Sequence, residues 1–96
     1  MDEDQISFLK KLIARHIEPE KCRVYIFGSQ AMGTATAKSD VDIGLEGESI
    51  TPIQISNLEE DFEKSNFPLV VEFVQMSRTS EIFKQIARQK IIPLNY

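Results

Sequence analysis

Two acids at positions i and i+2 of one strand share a face, and Asp40 and Asp42 stand in that relation. Like charges about 4 Å apart repel by about 4 kcal/mol at an effective dielectric near 20, so such a pair persists where water or a cation offsets it. Oxygen ligands without His or Cys select a hard cation such as Mg²⁺, or Mn²⁺, completed by substrate phosphates and water. Glu72 is a third acid, alone in the apolar run Leu69-Val70-Val71-Glu72-Phe73-Val74, which is expected to be a central strand. An unpartnered carboxylate is unfavourable there. If the two strands are neighbours, Asp40, Asp42 and Glu72 can gather in one place. They could then hold two metal ions about 3.5 to 4 Å apart across an in-line displacement. An isolated Asp-x-Asp also occurs as a simple turn cap.

A second feature gives the acids a substrate. Gly28-Ser29 lies between a strand-like run and a short helix-like one. Glycine lets backbone approach a phosphate, the amides at a helix start favour an anion, and Ser29 adds a hydroxyl donor. A phosphate turn followed by an acid pair on the next strand places triphosphate and cation side by side.

The elements that must position these residues alternate. Ile6, Leu9, Leu12, Ile13 and Ile17 recur at helical spacing from Asp4, a plausible N-cap, to about Ile17, and Pro19 closes the helix. His16 sits near its end, where a cation meets the negative end of the dipole, with no carboxylate or cysteine at ligand spacing. Arg23-Val24-Tyr25-Ile26-Phe27 reads as a buried strand, Ser29 to about Ala37 as a short helix, and Val41, Ile43 and Leu45 as the apolar face of a second strand. After a loop at Gly47-Glu48-Ser49, Thr51-Pro52 starts a helix with Ile53, Leu58 and Phe62 inward, and Glu59-Glu60-Asp61 forms a solvated face. Asn66-Phe67-Pro68 ends it before the third strand. Ser77 and Thr79 can cap a last helix through about Arg88, and Ile91-Ile92-Pro93-Leu94 is a short apolar tail. The order αβαβαβα indicates an α/β domain, residues 1–96, with helices against a sheet of about three strands. Strand order and sense are not legible at this level.

Composition narrows the partners. A chain of 96 residues with 42% apolar content has room for one core and none for a separate acceptor domain. Net charge −4 disfavours nucleic acid, whose binding rests on clustered Lys and Arg. No apolar run reaches the length of about 20 residues that spans a bilayer, and the start Met1-Asp2-Glu3-Asp4 is acidic where a signal peptide is basic, so a cytoplasmic protein is expected. The single cysteine, Cys22, forms no internal bridge and reads as a core or strand-edge thiol. An apolar face left open on the first or last helix would serve dimerisation or partner binding.

Gly28-Ser29, ten intervening residues and Asp40-x-Asp42 preceded by Ser39 together resemble the signature of the minimal nucleotidyltransferases of the polymerase-β-like superfamily. The resemblance spans nearly the whole chain, including Gly33 and the late acid Glu72. It implies a nucleotidyltransferase core with a small mixed sheet, Mg²⁺ or Mn²⁺ at Asp40 and Asp42 with Glu72 as the third carboxylate, and ATP triphosphate at Gly28, Ser29 and Ser39. Short members resemble the antitoxin half of a two-protein system whose other half is a small helical HEPN-type toxin. The resemblance then implies AMP transfer to a toxin tyrosine. Two departures stand out: Gln30 and Met32 occupy places where many relatives carry arginine, and Glu72 replaces a commoner Asp. A contact-only binding module and an enzyme acting on an aminoglycoside-like hydroxyl compound are the other readings.

Overall fold

The computed structural model describes residues 1–18, 20–36, 40–47 and 50–94. Pro19, Ala37, Ser39 and the 48–49 part of the expected loop lie outside the described residues. The elements are α1 (Glu3–Ala14), β1 (Arg23–Phe27), α2 (Ser29–Met32), β2 (Val41–Glu46), α3 (Pro52–Lys64), β3 (Val71–Gln75), a 3₁₀ turn (Met76–Arg78), α4 (Glu81–Ala87) and β4 (Ile92–Pro93). The sheet order is β3-β2-β1-β4. β1 is antiparallel to both β2 and β4, whereas β2 and β3 are parallel and joined through α3, so the sheet is mixed as expected.

The apolar tail is a fourth strand. Ile92 and Pro93 pair with Ile26 and Tyr25, and the Leu94 amide donates to the Val24 carbonyl at 2.9 Å. Proline is tolerated there because an edge strand can spare an N–H.

The caps differ from expectation in register. Asp2, not Asp4, caps α1, accepting from the Gln5 amide at 2.8 Å while the Gln5 side chain takes the Asp2 amide. Ser80 rather than Ser77 or Thr79 caps α4; Ser77 lies in the 3₁₀ turn and the Thr79 hydroxyl donates to the Met76 carbonyl. Thr51 caps α3 as expected, with Gln54 completing a reciprocal box. On α3, Leu58 and Phe62 are buried but Ile53 is 72% exposed, and Ile55 packs on the core in its place.

Strand alternation gives the sheet two unlike faces. Val24, Ile26, Val41, Ile43 and Leu45 face Leu9, Leu12 and Ile13 of α1 and Leu58 and Phe62 of α3, forming the main core. Tyr25 and Phe27 point the other way, into a smaller cluster with Met76 and Ala87. His16 is not merely at a helix end: its Nε2 bonds to the Asp61 carboxylate, tying the segment after α1 to α3, while Asp61 stays partly exposed beside Glu59 and Glu60. Among the described residues no helix is long and apolar enough to cross a membrane.

Candidate active site

Asp42 lies on the sheet face away from α1 and α3, between Phe27 of β1 and Glu72 of β3, both its register partners. Neighbouring strands are about 4.8 Å apart, so the Asp42 and Glu72 carboxyls are immediate neighbours. Strand order places β3 at the sheet edge, not the centre, and Glu72 is exposed. The expected burial of Glu72 is therefore corrected: Asp42 is the half-buried carboxyl, and Asp40 and Glu72 flank it from solvent.

This arrangement raises the Asp42 carboxyl above its ordinary 3.8. Burial is the largest cause, followed by the charges of Glu72 and Asp40 and a hydrogen bond with Glu72. The three predicted acids thus act on one another, with Asp42 at the centre. Among the described residues no three His, Cys, Asp or Glu side chains are grouped so that they could hold a metal ion as they stand. Neighbouring oxygen donors with excess negative charge nevertheless fit a hard cation that takes its remaining ligands from phosphate and water.

Gly28 abuts the same carboxyl. Its backbone has φ +73°, and a Cβ built there would lie 2.6 Å from Asp42 Oδ2. Gly28 opens α2, and the amides of Ala31 and Met32 bond back to its carbonyl at 3.1 and 3.0 Å. Side chains cap α1, α3 and α4, but no side chain caps α2. One turn carries little macrodipole, so the turn offers close backbone approach and the amides of Gly28 and Ser29. Gly33, left-handed at φ +76°, ends α2. Ser39 is outside the described residues, and its expected part in the turn is not addressed by the structure.

Residues 8–94 match the family described as "Polymerase beta, Nucleotidyltransferase". The chain belongs to this nucleotidyltransferase family. It is 31% identical over 80 residues, 82% of its length and 69% of the relative's, to the probable protein adenylyltransferase MntA of Haemophilus influenzae. In fold, this nucleotidyltransferase resembles a chain of a toxin–antitoxin complex with AMP-PNP (TM-score 0.72, 24% identity, covering 98% of this chain and 73% of that one). It also resembles a chain from a complex of a tri-AMPylated Shewanella oneidensis HEPN toxin with an MNT antitoxin (TM-score 0.71, 20% identity, covering 98% and 71%). These likenesses agree with the minimal-nucleotidyltransferase type.

Sequence reading missed one network on this face of the nucleotidyltransferase. Glu46 accepts from the Tyr25 hydroxyl at 2.8 Å and from Arg88 Nε at 2.8 Å, with Arg23 at 3.8 Å. Burial alone would push the Glu46 carboxyl up, but the hydrogen bonds from Arg88 and Tyr25 and the charges of Arg88 and Arg23 hold it below 4.5. Tyr25 is pushed up to about 12, first by burial and then by Glu46. Its ring lies over Gly44, where a Cβ would come within 2.7 Å of Cε2. Glu46 shares the face of Asp42 at i+4, which was a legible signal; its partner Arg88, 42 residues away, was not. Being fully engaged, Glu46 braces α4 against the sheet and leaves the site to the other three acids.

Proposed function

We propose that this nucleotidyltransferase moves AMP from ATP to a side-chain hydroxyl, specifically a tyrosine, of a HEPN-type toxin and acts as its antitoxin. The observation that carries the reading is the contact of Gly28 with Asp42, which is itself paired in register with Glu72. Triphosphate at Gly28 and Ser29 would lie beside the acids. Asp40 and Asp42, with Glu72, would hold Mg²⁺ or Mn²⁺, which when bound supplies charge neutralisation and Lewis acidity at the phosphates. Exposed at the sheet edge, Glu72 is reachable by an acceptor from solvent and takes the hydroxyl proton as the acceptor oxygen bonds to the α-phosphorus. The bond from that phosphorus to the β-phosphate oxygen breaks, and pyrophosphate leaves.

The likeness to an MntA adenylyltransferase and to a complex containing an AMPylated HEPN toxin supports the acceptor class. A contact-only antitoxin is the second reading, favoured by the absence of any basic residue in α2, where Met32 is 49% exposed. Intact-mass spectrometry of a HEPN-type toxin incubated with this chain, ATP and Mg²⁺ separates the two. One or more AMP increments on a tyrosine are expected. A toxin that is silenced yet unmodified would overturn the catalytic reading.

A further inference from the structure

The sheet face opposite the carboxylates is covered by α1 and α3, and the groove between them departs in charge from the rest of this acidic chain. A cleft of 330 Å³ opens there, floored by Phe8 and Leu12 and rimmed by Lys11, Arg15 and Lys64. Lys11 and Arg15 stand at i and i+4 on one face of the α1 end, and Lys64 comes from the last turn of α3. Asp61, which also lines the cleft, is bonded to His16. Lys64 bonds Glu60 at 2.8 Å in an i,i+4 pair whose side chains are 72% and 59% exposed, an arrangement worth so little that a better anion displaces it. The floor is held by aromatic contacts: the Phe8 ring stacks on Phe67 at 5.4 Å and meets Phe62 edge-on at 6.2 Å, yet stays 37% exposed.

We propose that this cleft docks an acidic segment of a protein partner, with an apolar side chain on Phe8 and Leu12 and carboxylates against Lys11, Arg15 and Lys64. Charge complementarity selects this occupant. The positive rim is local, because the neighbouring cleft across α3 is bordered by Glu59 and Glu63 and the start of α1 carries Glu3 and Asp4. A nucleic-acid backbone crossing the groove would run onto these acids, whereas a short acidic segment fits between them. Because the cleft and the carboxylates lie on opposite sheet faces, docking leaves the site open and does not depend on the catalytic reading.

The test uses the full chain and a fluorescein-labelled peptide, Glu-Glu-Phe-Glu-Glu-Leu, read by anisotropy. Saturable binding is expected, weakened about tenfold by Arg15→Glu and by Lys11→Glu but not by the charge-matched Lys90→Glu outside the cleft. Circular dichroism confirms that each variant is folded. Failure to bind, equal binding of the Gln-for-Glu peptide, or equal loss with Lys90→Glu would overturn the proposal. Tighter, Arg15-dependent binding of a single-stranded RNA oligomer would also overturn it, as would self-association in sedimentation that Arg15→Glu abolishes.

Discussion

Gly28 and Asp42 leave no room for a side chain between them: a Cβ on Gly28 would sit 2.6 Å from Asp42 Oδ2. Phe27 pairs in register with Asp42, so the chain leaves β1 directly beside the carboxyl and must turn there at φ +73°. Glycine meets both demands, and phosphate turn and acid become one structure.

Gly28→Ala is therefore expected to lose transfer even where it folds. Its backbone at φ +73°, ψ −151° lies in a region nearly confined to glycine and alone costs about 1–3 kcal/mol for a residue with a Cβ, before Asp42 is pushed aside. Thermal melts read the first effect and toxin modification the second. Wild-type transfer by a folded Gly28→Ala protein would show that Asp42 need not hold its position.

Asp42→Asn and Asp40→Asn are each expected to abolish transfer, while Asp42→Asn stabilises the metal-stripped protein at neutral pH. The folded carboxyl of Asp42 is raised above 3.8, so its stabilising contribution belongs to the protonated form. It is present below the unfolded value and lost as pH rises through the raised folded one. Asparagine keeps the neutral state throughout. Melting temperatures in chelator should favour the variant at pH 7 and converge with wild type below pH 3.8.

Glu72→Gln is expected to lower turnover by about 10² to 10⁴ while metal–nucleotide binding through Asp40 and Asp42 persists, and Glu72→Asp should fall between. Calorimetry with ATP and Mg²⁺ checks binding and single-turnover transfer checks chemistry. Unchanged transfer by Glu72→Gln would remove it as the base and leave the aspartates in place.

Glu46→Gln is expected to destabilise the fold at neutral pH by about 1 kcal/mol, because glutamine still accepts from the Tyr25 hydroxyl but as a neutral rather than a charged acceptor. The Glu46 carboxyl is held below 4.5, so its contribution exists above that value and is lost as pH falls through the folded one. Denaturant unfolding at pH 7 and pH 3 should show the difference shrinking in acid. An equal deficit at both would point to lost packing instead.

Cys22 is 4% exposed and its thiol is pushed up to about 11, chiefly by burial. Thiol reagents at pH 7.5 should label it only in denaturant. Rapid labelling of the native protein would show that the start of β1 opens.

Periodicity and turn chemistry made much of the architecture legible. Val41, Ile43 and Leu45 alternate with Asp42 and Gly44, so the acid face of β2 could be read locally, and the Thr51-Pro52 start of α3 announced itself. The caps of α1 and α4 were displaced because Asp2 and Asp4, or Ser77, Thr79 and Ser80, are chemically near-equivalent and only the backbone path chooses among them. Residues 91–94 hold too few positions for a period, and what makes Ile92–Pro93 a strand is the open edge of β1.

The sequence by itself determined the residue types at the site, the face of β2 that carries Asp42, and the glycine placed between strand and helix, whereas Asp40, expected on the same strand, lies just before β2. Local spacing suffices for these, because side-chain direction along a strand follows from its backbone repeat. Only the tertiary structure decided that β3 lies parallel beside β2 at the sheet edge, so that Glu72 is exposed yet touches Asp42, and that Arg88 and Tyr25 engage Glu46. It also paired His16 with Asp61. Those pairings join residues 21 to 45 positions apart. Strand order and helix packing set them by burying apolar faces together, and no local pattern encodes which distant surface a strand or helix will meet.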